Sequence, residues 1–357
     1  MSPAHDWRAD LAGLPAAPRV LVMKWSALGD VALATAAIED LHRALPGARL
    51  DLDTPPRFAS LFAHDPRFER VLGIDARSAH LAGMARWLAR VTAARYDAII
   101  DMQSTDRSRL LIAALVLLGR GPAIRVGNHR RWPYTAAPPA QHRQTHALDH
   151  LRAALAAGGV RAGTDHPVLH PGPEHRERAH ALLDAHDLMH RRFAMFMPGC
   201  QRAGWLKRWG WRRFASLALA LARHGIGKVL LVGAQDEREE CDAIARACPD
   251  VAIDICGRTA ILDLVPLARA AHCVVANDTG TAHVAAVAER PMVVVCGPTD
   301  PRRVRPAGAR VCTLQAELWC RSCYRKDCSH HSCMDVLSPE QVLAALASLG
   351  AIGSPRN

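Results

Sequence analysis

The segment Arg19-Val-Leu-Val-Met-Lys-Trp25 is a short apolar run, and the turn Ser26-Ala-Leu-Gly29-Asp30 follows it directly. An apolar run of this length bounded by turn residues is typical of a buried strand. After the turn, apolar side chains recur at three- and four-residue spacing from Val31 to Leu45, which predicts an amphipathic helix that Pro46-Gly47 ends. A strand followed by a helix is the repeating unit of a parallel α/β sheet.

The same alternation continues along both halves of the chain, which predicts two doubly wound parallel sheets in two Rossmann-like domains. In the first half we predict further strands at Arg49 to Asp53, Arg70 to Gly73, Asp97 to Asp101 and Ala123 to Val126, and helices at Ser78 to Ala93 and Asp106 to Leu118. In the second half we predict strands at Phe193 to Met197, Lys228 to Val232, Val251 to Ile253, Cys273 to Ala276 and Met292 to Cys296.

The stretch from Asp165 to Pro173 is rich in Pro, Gly and His, as linkers are. We therefore expect an N-terminal domain over 1–165, a linker over 166–175 and a C-terminal domain over 176–357. Open α/β sheets bind ligands beyond the carboxyl ends of their strands, so the strand-to-helix turns are where chemistry is expected.

Composition narrows the class of protein. The chain has 357 residues, 50% of them hydrophobic and 22% charged, which is typical of a globular protein. We find neither a signal peptide nor an apolar run long enough to span a bilayer, and we expect a cytoplasmic protein. The net charge of +11 suits an anionic partner such as a phosphorylated glycolipid, a nucleic acid or an anionic membrane surface.

Asp30 ends the first turn, at the start of the first predicted helix. A carboxylate there commonly stabilises the helix N-terminus. The same carboxylate, at the ligand-binding edge of the sheet, could instead act as a general base on an acceptor hydroxyl. Spacing alone leaves both roles open.

The segment from Asn277 to His283 follows a predicted strand and opens a predicted helix that runs through Glu289. A helix N-terminus presents unpaired N–H groups and a positive dipole end, which suit a diphosphate. Gly280 allows a close approach to the backbone, and the hydroxyl of Thr279 can donate a hydrogen bond. The alternative is a simple helix cap formed by the Asp and Thr residues of this segment.

Two further turns carry charged residues. Lys207 lies in a loop after Pro198-Gly199-Cys200 and before a helix from Trp211, where it is either a cation near the diphosphate or part of a solvated basic loop. Glu237 ends the turn Gly233-Ala-Gln-Asp-Glu237, where an acidic residue binds ribose hydroxyls in other nucleotide sites. Glu237 could equally cap the helix, or Glu239 could be the relevant acidic residue.

Eleven cysteines all lie from Cys200 onward, and four of them form the pattern Cys320-x2-Cys323-x4-Cys328-x4-Cys333. Four thiolates can close a tetrahedral zinc site. Only one CxxC pair is present, so the pattern differs from the paired CxxC motifs of zinc ribbons. The alternatives are a structural zinc ion and a set of free or redox-active thiols.

Together these motifs resemble the heptosyltransferase family of glycosyltransferases, glycosyltransferase family 9, over nearly the whole chain. The resemblance rests on Ser26 to Val31, Tyr96 to Gln103, Lys207 to Trp209, Gly233 to Glu237, Asn277 to His283 and Gly297 to Asp300. The chain departs from the family at Gly210, where members often carry proline.

The resemblance implies a GT-B fold, in which two Rossmann-like domains with parallel sheets face a central cleft. It implies transfer of heptose or a related sugar from an ADP-sugar to the lipopolysaccharide core, with inversion and without a catalytic metal or cofactor. It implies acceptor binding by the N-terminal domain and donor binding by the C-terminal domain, with peripheral contact at the cytoplasmic face of the inner membrane. Asp30 takes the role of the base, and the donor-binding residues are Lys207, Glu237, Asp278, Thr279, Gly280 and His283.

Two other classes of function remain to be compared with this one. A nucleotide-sugar epimerase on the same fold would need no acceptor and would convert the donor alone. A nucleic-acid-binding protein would fit the charge of +11 and the Cys/His cluster. The chain has only 5% aromatic residues and no basic motif interleaved with aromatics, so we expect no nucleic-acid partner.

Overall fold

The computed structural model describes residues 7–74, 81–140 and 145–353. The chain divides into two compact units, Met1–His170 and Pro171–Asn357, and the division falls inside the predicted linker, 166–175. Residues 173–175 belong to a helix, because Gly172 adopts an extended N-cap conformation and Pro173 occupies the first helical position. No helix of the described residues is long and apolar enough to cross a membrane.

Unit 1 contains a five-stranded parallel sheet in the order β3-β2-β1-β4-β5. Its strands are β1 (Arg19–Met23), β2 (Arg49–Asp53), β3 (Phe68–Val71), β4 (Ala98–Asp101) and β5 (Ile124–Val126). Its helices are α1 (Leu28–Ala44), α2 (Pro56–Ala59), α3 (Leu81–Ala94), α4 (Asp106–Leu117) and α5 (Ala147–Ala157). One apolar core joins the sheet to α3 and α4 through side chains such as Leu21, Trp87 and Leu111.

Unit 2 contains a six-stranded parallel sheet in the order β11-β10-β9-β6-β7-β8. Its strands are β6 (Phe193–Met197), β7 (Lys228–Leu231), β8 (Ala252–Asp254), β9 (Cys273–Asn277), β10 (Met292–Cys296) and β11 (Val311–Gln315). Its helices are α6 (Pro173–Ala185), α7 (Trp211–Arg223), α8 (Arg238–Ala247), α9 (Leu264–Ala270), α10 (Gly280–Ala285), α11 (Pro301–Val304), α12 (Ser332–Asp335) and α13 (Pro339–Ser348).

The predicted parallel α/β organisation of both halves is confirmed. The observed strands differ from the predicted ones at the edges of the sheets. β3 starts two residues before the predicted strand, and β11 was not predicted. The predicted helix from Ser78 is described only from Leu81, because 78–80 lie outside the described residues.

Each sheet changes direction of strand order at one place, between β1 and β4 in unit 1 and between β6 and β9 in unit 2. At such a switch point the two following loops diverge to opposite faces and leave a crevice at the carboxyl ends of the strands. The turns after β1, β4, β6 and β9 are therefore the places where each unit can hold a ligand.

Candidate active site

Asp30 is the third residue of α1, and its Oδ2 accepts a hydrogen bond from the backbone N–H of Ala27 at 3.0 Å. The carboxylate therefore does stabilise the start of the helix, as one of its two predicted roles requires. The side chain is also exposed, so its other oxygen remains accessible to a substrate hydroxyl. The structure is compatible with both roles.

Lys24 is a residue that the sequence patterns did not single out. It lies directly after β1, is buried, and its Nζ donates to the carbonyl oxygen of Met102 at 3.3 Å. Burial lowers the pKa of this lysine, while the nearby carboxylates of Asp30 and Asp101 raise it. A lysine that ends an apolar strand, in a chain with four lysines, is the signal that could have found it.

Gln103 joins the two loops at the switch point of unit 1. Its Oε1 accepts from the backbone N–H groups of Trp25 at 2.9 Å and Ser26 at 3.2 Å. Just before it, the buried Asp101 accepts from the hydroxyl of Tyr134 at 2.6 Å. Burial raises the pKa of Asp101 even though these hydrogen bonds oppose the rise. These residues fix the backbone that leads into Asp30.

Asp53, at the end of β2, is completely buried beneath the same loops. Its Oδ2 accepts hydrogen bonds from the indole N–H groups of Trp25 at 2.8 Å and Trp87 at 2.7 Å. Burial raises the pKa of Asp53 from 3.8 to about 7, although both indole hydrogen bonds work against the rise. Its protonation therefore changes near neutral pH.

In unit 2, Asp278 is the centre of a polar network after β9. Its Oδ2 accepts from Nζ of Lys207 at 2.9 Å and from the hydroxyl of Thr299 at 2.6 Å. Asp278 is buried, whereas the side chain of Lys207 remains 29% exposed. The carboxylate thus orients a partly exposed ammonium group, and the loop containing Lys207 is not simply solvated.

The helix after this network is shorter than predicted. α10 ends at Ala285, a 3-10 turn covers Ala286–Ala288, and Glu289 has a positive φ of 52° instead of continuing the helix. Thr279 is the N-cap residue, its hydroxyl lies 2.9 Å from that of Thr281, and no side chain caps the helix. A simple cap by an Asp or Thr side chain is therefore not what the structure shows.

Gly280 begins α10, and His283 lies buried within it. Asn277, the last residue of β9, has a role that the sequence did not reveal. Its Nδ2 donates to the carbonyl oxygens of Pro198 and Gly199, and its Oδ1 accepts from the backbone N–H of Trp209 at 3.1 Å. One buried amide thus holds both ends of the loop that carries Lys207.

Glu237 lies beside a pocket in unit 2. Its Oε2 accepts from the backbone N–H of Ala234 at 2.8 Å, so it does cap its own turn, and burial raises its pKa. The pocket is formed largely by apolar groups, with Glu237 and two threonines as its polar side chains. It is lined by Met197, Gly199, Val232, Gly233, Ala234, Glu237, Thr259, Ala260, Ile261, Leu264 and Thr281.

This pocket has the character of a nucleoside site, because an apolar slot with few polar groups suits an aromatic base. Thr281 connects it to the start of α10, and Gly199 connects it to the loop held by Asn277. The structure therefore places Glu237 in the pocket, and Lys207, Asp278, Thr279 and Gly280 on the turns next to it.

The four cysteines Cys320, Cys323, Cys328 and Cys333 line a second, smaller cavity of unit 2, together with His330 and His331. None of the four is in a disulfide. Burial raises the pKa of the Cys333 thiol, and the charges of the other three cysteines raise it further. A different group, Cys241, Asp254 and Cys256, has ligand atoms all within 4.8 Å of one another.

Comparison with known proteins supports the class of enzyme. The family model of glycosyltransferase family 9 (heptosyltransferase) matches residues 84–334. Lipopolysaccharide heptosyltransferase 1 of Pseudomonas aeruginosa is 26% identical over 327 residues, covering 87% of this chain and 88% of that protein. The chain belongs to glycosyltransferase family 9, the heptosyltransferases.

Solved structures agree on the fold. The ADP-heptose lps heptosyltransferase II of E. coli superposes with a TM-score of 0.71 at 20% identity, covering 93% of this chain and 98% of that one. The iron-containing heptosyltransferase TibC of enterotoxigenic E. coli superposes with a TM-score of 0.54 at 14% identity, covering 94% and 77%. These matches confirm the predicted GT-B fold class.

Proposed function

We propose that this chain transfers heptose from ADP-heptose to a hydroxyl of the lipopolysaccharide core. The observation that carries the proposal is the Lys207–Asp278–Thr299 network beside an apolar pocket with Glu237, in a chain of family 9. Relatives named as lipopolysaccharide heptosyltransferases and a fold neighbour named for ADP-heptose support this donor and acceptor. Membership of this family does not favour an epimerase or a nucleic-acid-binding protein.

In this proposal unit 2 binds the donor. The base lies in the pocket against Met197, Val232 and Leu264, and the carboxylate of Glu237 accepts from the ribose hydroxyls. The diphosphate lies at the turn of Thr279 and Gly280. His283, which is buried within α10, completes the set of donor-binding residues.

Unit 1 binds the acceptor, and Asp30 removes the proton from its hydroxyl. The oxygen attacks the anomeric carbon from the face opposite ADP, so the configuration inverts through an oxocarbenium-like transition state. Negative charge grows on the departing diphosphate, and the ammonium of Lys207 stabilises it without a catalytic metal or cofactor. Asp278 holds that ammonium in place at 2.9 Å. We further propose that the enzyme acts in the cytoplasm, in peripheral contact with the inner membrane that carries the acceptor.

Lys207→Ala tests the assigned leaving-group role. Removing a positioned cation is expected to lower kcat/KM for ADP-heptose by about a hundredfold. Lys228→Ala is the matched control, because Lys228 starts β7 at the opposite end of the sheet and its Nζ donates to the carbonyl oxygen of Asp250. Equal losses in both variants would remove Lys207 from the site.

Donor identity is tested by thermal shift with ADP, UDP and GDP. A ligand at a hundredfold excess over its Kd stabilises by about 2.7 kcal/mol, so ADP should raise Tm well above the other two nucleotides. A preference for UDP would contradict the ADP-sugar assignment. Incubation with ADP-heptose alone should leave the sugar unchanged, whereas an epimerase would convert it.

A further inference from the structure

The cysteine cluster (Cys320, Cys323, Cys328 and Cys333) has no part in the proposed transfer. Its members are half-buried or exposed, unlike the buried cysteines of the unit 2 core such as Cys241 and Cys273. A packing role would place a cysteine inside the core, as those two are. The cluster instead surrounds a small cavity, whose wall also includes His331, Leu206 and Pro298.

The backbone of this segment is bent sharply where the cysteines occur. Ser322, Tyr324 and His331 all have positive φ angles, of 57°, 55° and 49°. Residues with a β-carbon rarely adopt this region, and when several do so within a short segment they are typical of ligand-binding loops. Two of these bends, at Ser322 and Tyr324, flank Cys323 directly.

One sulfur of the cluster already accepts a backbone hydrogen bond. The backbone N–H of His331 donates to Sγ of Cys328 at 3.5 Å. Hydrogen bonds to sulfur stabilise metal-bound thiolates and are a regular part of such sites. The structure thus offers four sulfur ligands around one cavity, a loop with three residues of positive φ and a donor to one of the sulfurs.

We propose that the cysteine cluster binds one tetrahedral cation, Zn²⁺ or Fe²⁺, and that this cation holds the loop containing Lys207 in place. Four thiolates in tetrahedral arrangement are the ligand set that these ions take. Each of the four thiols releases its proton to solvent on binding, so the four thiolates outweigh the ion's charge of +2 and leave the complex at −2. Among the described residues, only Cys241, Asp254 and Cys256 have three ligand atoms within 4.8 Å, so metal binding in the cysteine cluster requires its thiols to move closer together.

The link to the Lys207 loop is direct. Nε2 of His331 lies 2.8 Å from the carbonyl oxygen of Leu206, the residue before Lys207, and the His331 ring packs on Trp205 at 5.4 Å. His331 therefore contacts two consecutive residues of the Lys207 loop. Holding His331 by metal binding at its neighbours would fix the backbone from which the ammonium of Lys207 extends.

The segment that contains the cysteine cluster also contacts the loop of Thr299, the second hydrogen-bond partner of Asp278. The backbone N–H of Tyr324 donates to the carbonyl oxygen of Pro298 at 2.8 Å, and Pro298 precedes Thr299. The Tyr324 hydroxyl accepts from the backbone N–H of Asp300 at 3.2 Å. Both partners of Asp278, Lys207 and Thr299, thus lie on loops that contact the cysteine cluster.

The first test is metal content of the full-length protein, produced in medium supplemented with zinc and iron and purified without a metal-affinity step. Elemental analysis should find about one ion per chain, and it distinguishes zinc from iron. Replacing the ion with Co²⁺ should give the visible absorption of a tetrahedral tetrathiolate site. Metal-free protein that takes up no Co²⁺, or a cluster whose thiols are paired in disulfides, would overturn the proposal.

The second test compares Cys323→Ser with Cys312→Ala. Cys323 is exposed, so its replacement removes a ligand with little effect on packing, whereas Cys312 lies on β11 outside the cluster. Cys323→Ser should lose the metal, exchange amide hydrogen faster over 202–208 and bind ADP at least about fivefold more weakly; Cys312→Ala should do none of these. If Cys323→Ser does not fold, chelation of the wild-type protein gives the same comparison.

The two parts of the proposal fail separately. Retention of the metal by Cys323→Ser would overturn the ligand assignment. Loss of the metal with unchanged exchange over 202–208 would overturn the role in holding the Lys207 loop. Neither metal content nor amide exchange depends on the identity of the transferred sugar, so the heptosyl-transfer proposal is tested independently of both.

Discussion

The side chain of Asp30 has two proposed roles, one at the start of α1 and one as a general base. One oxygen accepts from the N–H of Ala27, and the exposed position leaves the carboxylate accessible from solvent. The same carboxylate interacts electrostatically with buried Lys24. Burial lowers the pKa of Lys24, and the charge of Asp30 opposes that change.

Asp30→Asn separates these two functions, because an amide oxygen can still accept from Ala27 but cannot take a proton. We expect kcat to fall by about a hundredfold or more, with ADP affinity and Tm nearly unchanged. Asp149→Asn is the matched control, since it removes an exposed carboxylate from the first turn of α5 in the same unit. Near-normal turnover in Asp30→Asn would remove Asp30 from the role of base.

Asp53 makes stability depend on pH near neutrality. Its pKa is about 7 in the folded protein against an ordinary 3.8, so the unfolded chain loses this proton first as pH rises. The stability contribution is therefore fully present below about pH 4, declines as pH rises toward 7, and is constant above that. At about 1.36 kcal/mol per unit, the decline is of the order of 4 kcal/mol.

Asp53→Asn should flatten this part of the profile, because the amide keeps hydrogen bonds available to the protein without titrating. Thermal midpoints of both proteins between pH 5 and 8 give the comparison, and the exposed Asp149→Asn should follow the wild type. A wild-type midpoint that rises across this range relative to Asp53→Asn would contradict the assigned direction of the pKa shift.

At the scale of elements, all the central strands could be predicted, whereas the edge strand β11 could not. β1, β2, β6, β9 and β10 have almost entirely buried residues, so their apolar runs are visible in the sequence. β11 lies at an edge of its sheet and all five of its residues are only half-buried. Its Thr313 and Gln315 interrupt the apolar run, because an edge strand does not require one.

The candidate site could likewise be predicted only in part. The turns that carry Asp30 and Asp278 could be predicted, because they follow buried strands and precede helices. The burial of Lys24 and the hydrogen bonds from Asn277 to both ends of its loop could not be predicted, because both depend on segments distant in the chain. Gly210 has a φ of 100°, which proline cannot adopt, so the departure from the family pattern reflects a different loop path into α7.

Gly199, in the turn after β6, gives an element-scale test of the donor pocket. A β-carbon at this position would lie 2.5 Å from Cβ and 2.6 Å from Cγ of Glu237. Gly199→Ala must therefore displace Glu237 or the turn itself, and we expect ADP affinity to fall roughly tenfold. Gly227→Ala is the control, because a β-carbon there would meet no atom within 4 Å.

Isothermal titration of ADP into both variants makes this comparison. Unchanged affinity in Gly199→Ala, with the protein folded, would place the nucleotide outside the Glu237 pocket. A matching loss in Gly227→Ala would show that the effect is a general consequence of substituting glycine in unit 2.

At the scale of the whole molecule, the two units divide the proposed work. The pocket residues and the Lys207 network all belong to Pro171–Asn357, whereas Asp30 and Lys24 belong to Met1–His170. The net charge of +11 suits both anionic substrates and does not by itself assign either one to a unit. The assignment rests on where the polar side chains lie.

Amide hydrogen exchange with and without ADP tests this division in the intact chain. A bound ligand slows exchange in the segments whose opening it opposes. We expect ADP to protect peptides covering Gly199, Glu237 and Thr281, and to leave the segment 24–30 close to its rate in the free protein. Addition of a lipopolysaccharide core fragment should protect 24–30 instead, because Asp30 is proposed to contact the acceptor hydroxyl. Protection of 24–30 by ADP alone, with the Glu237 segment unaffected, would reverse the assignment of donor and acceptor to the two units.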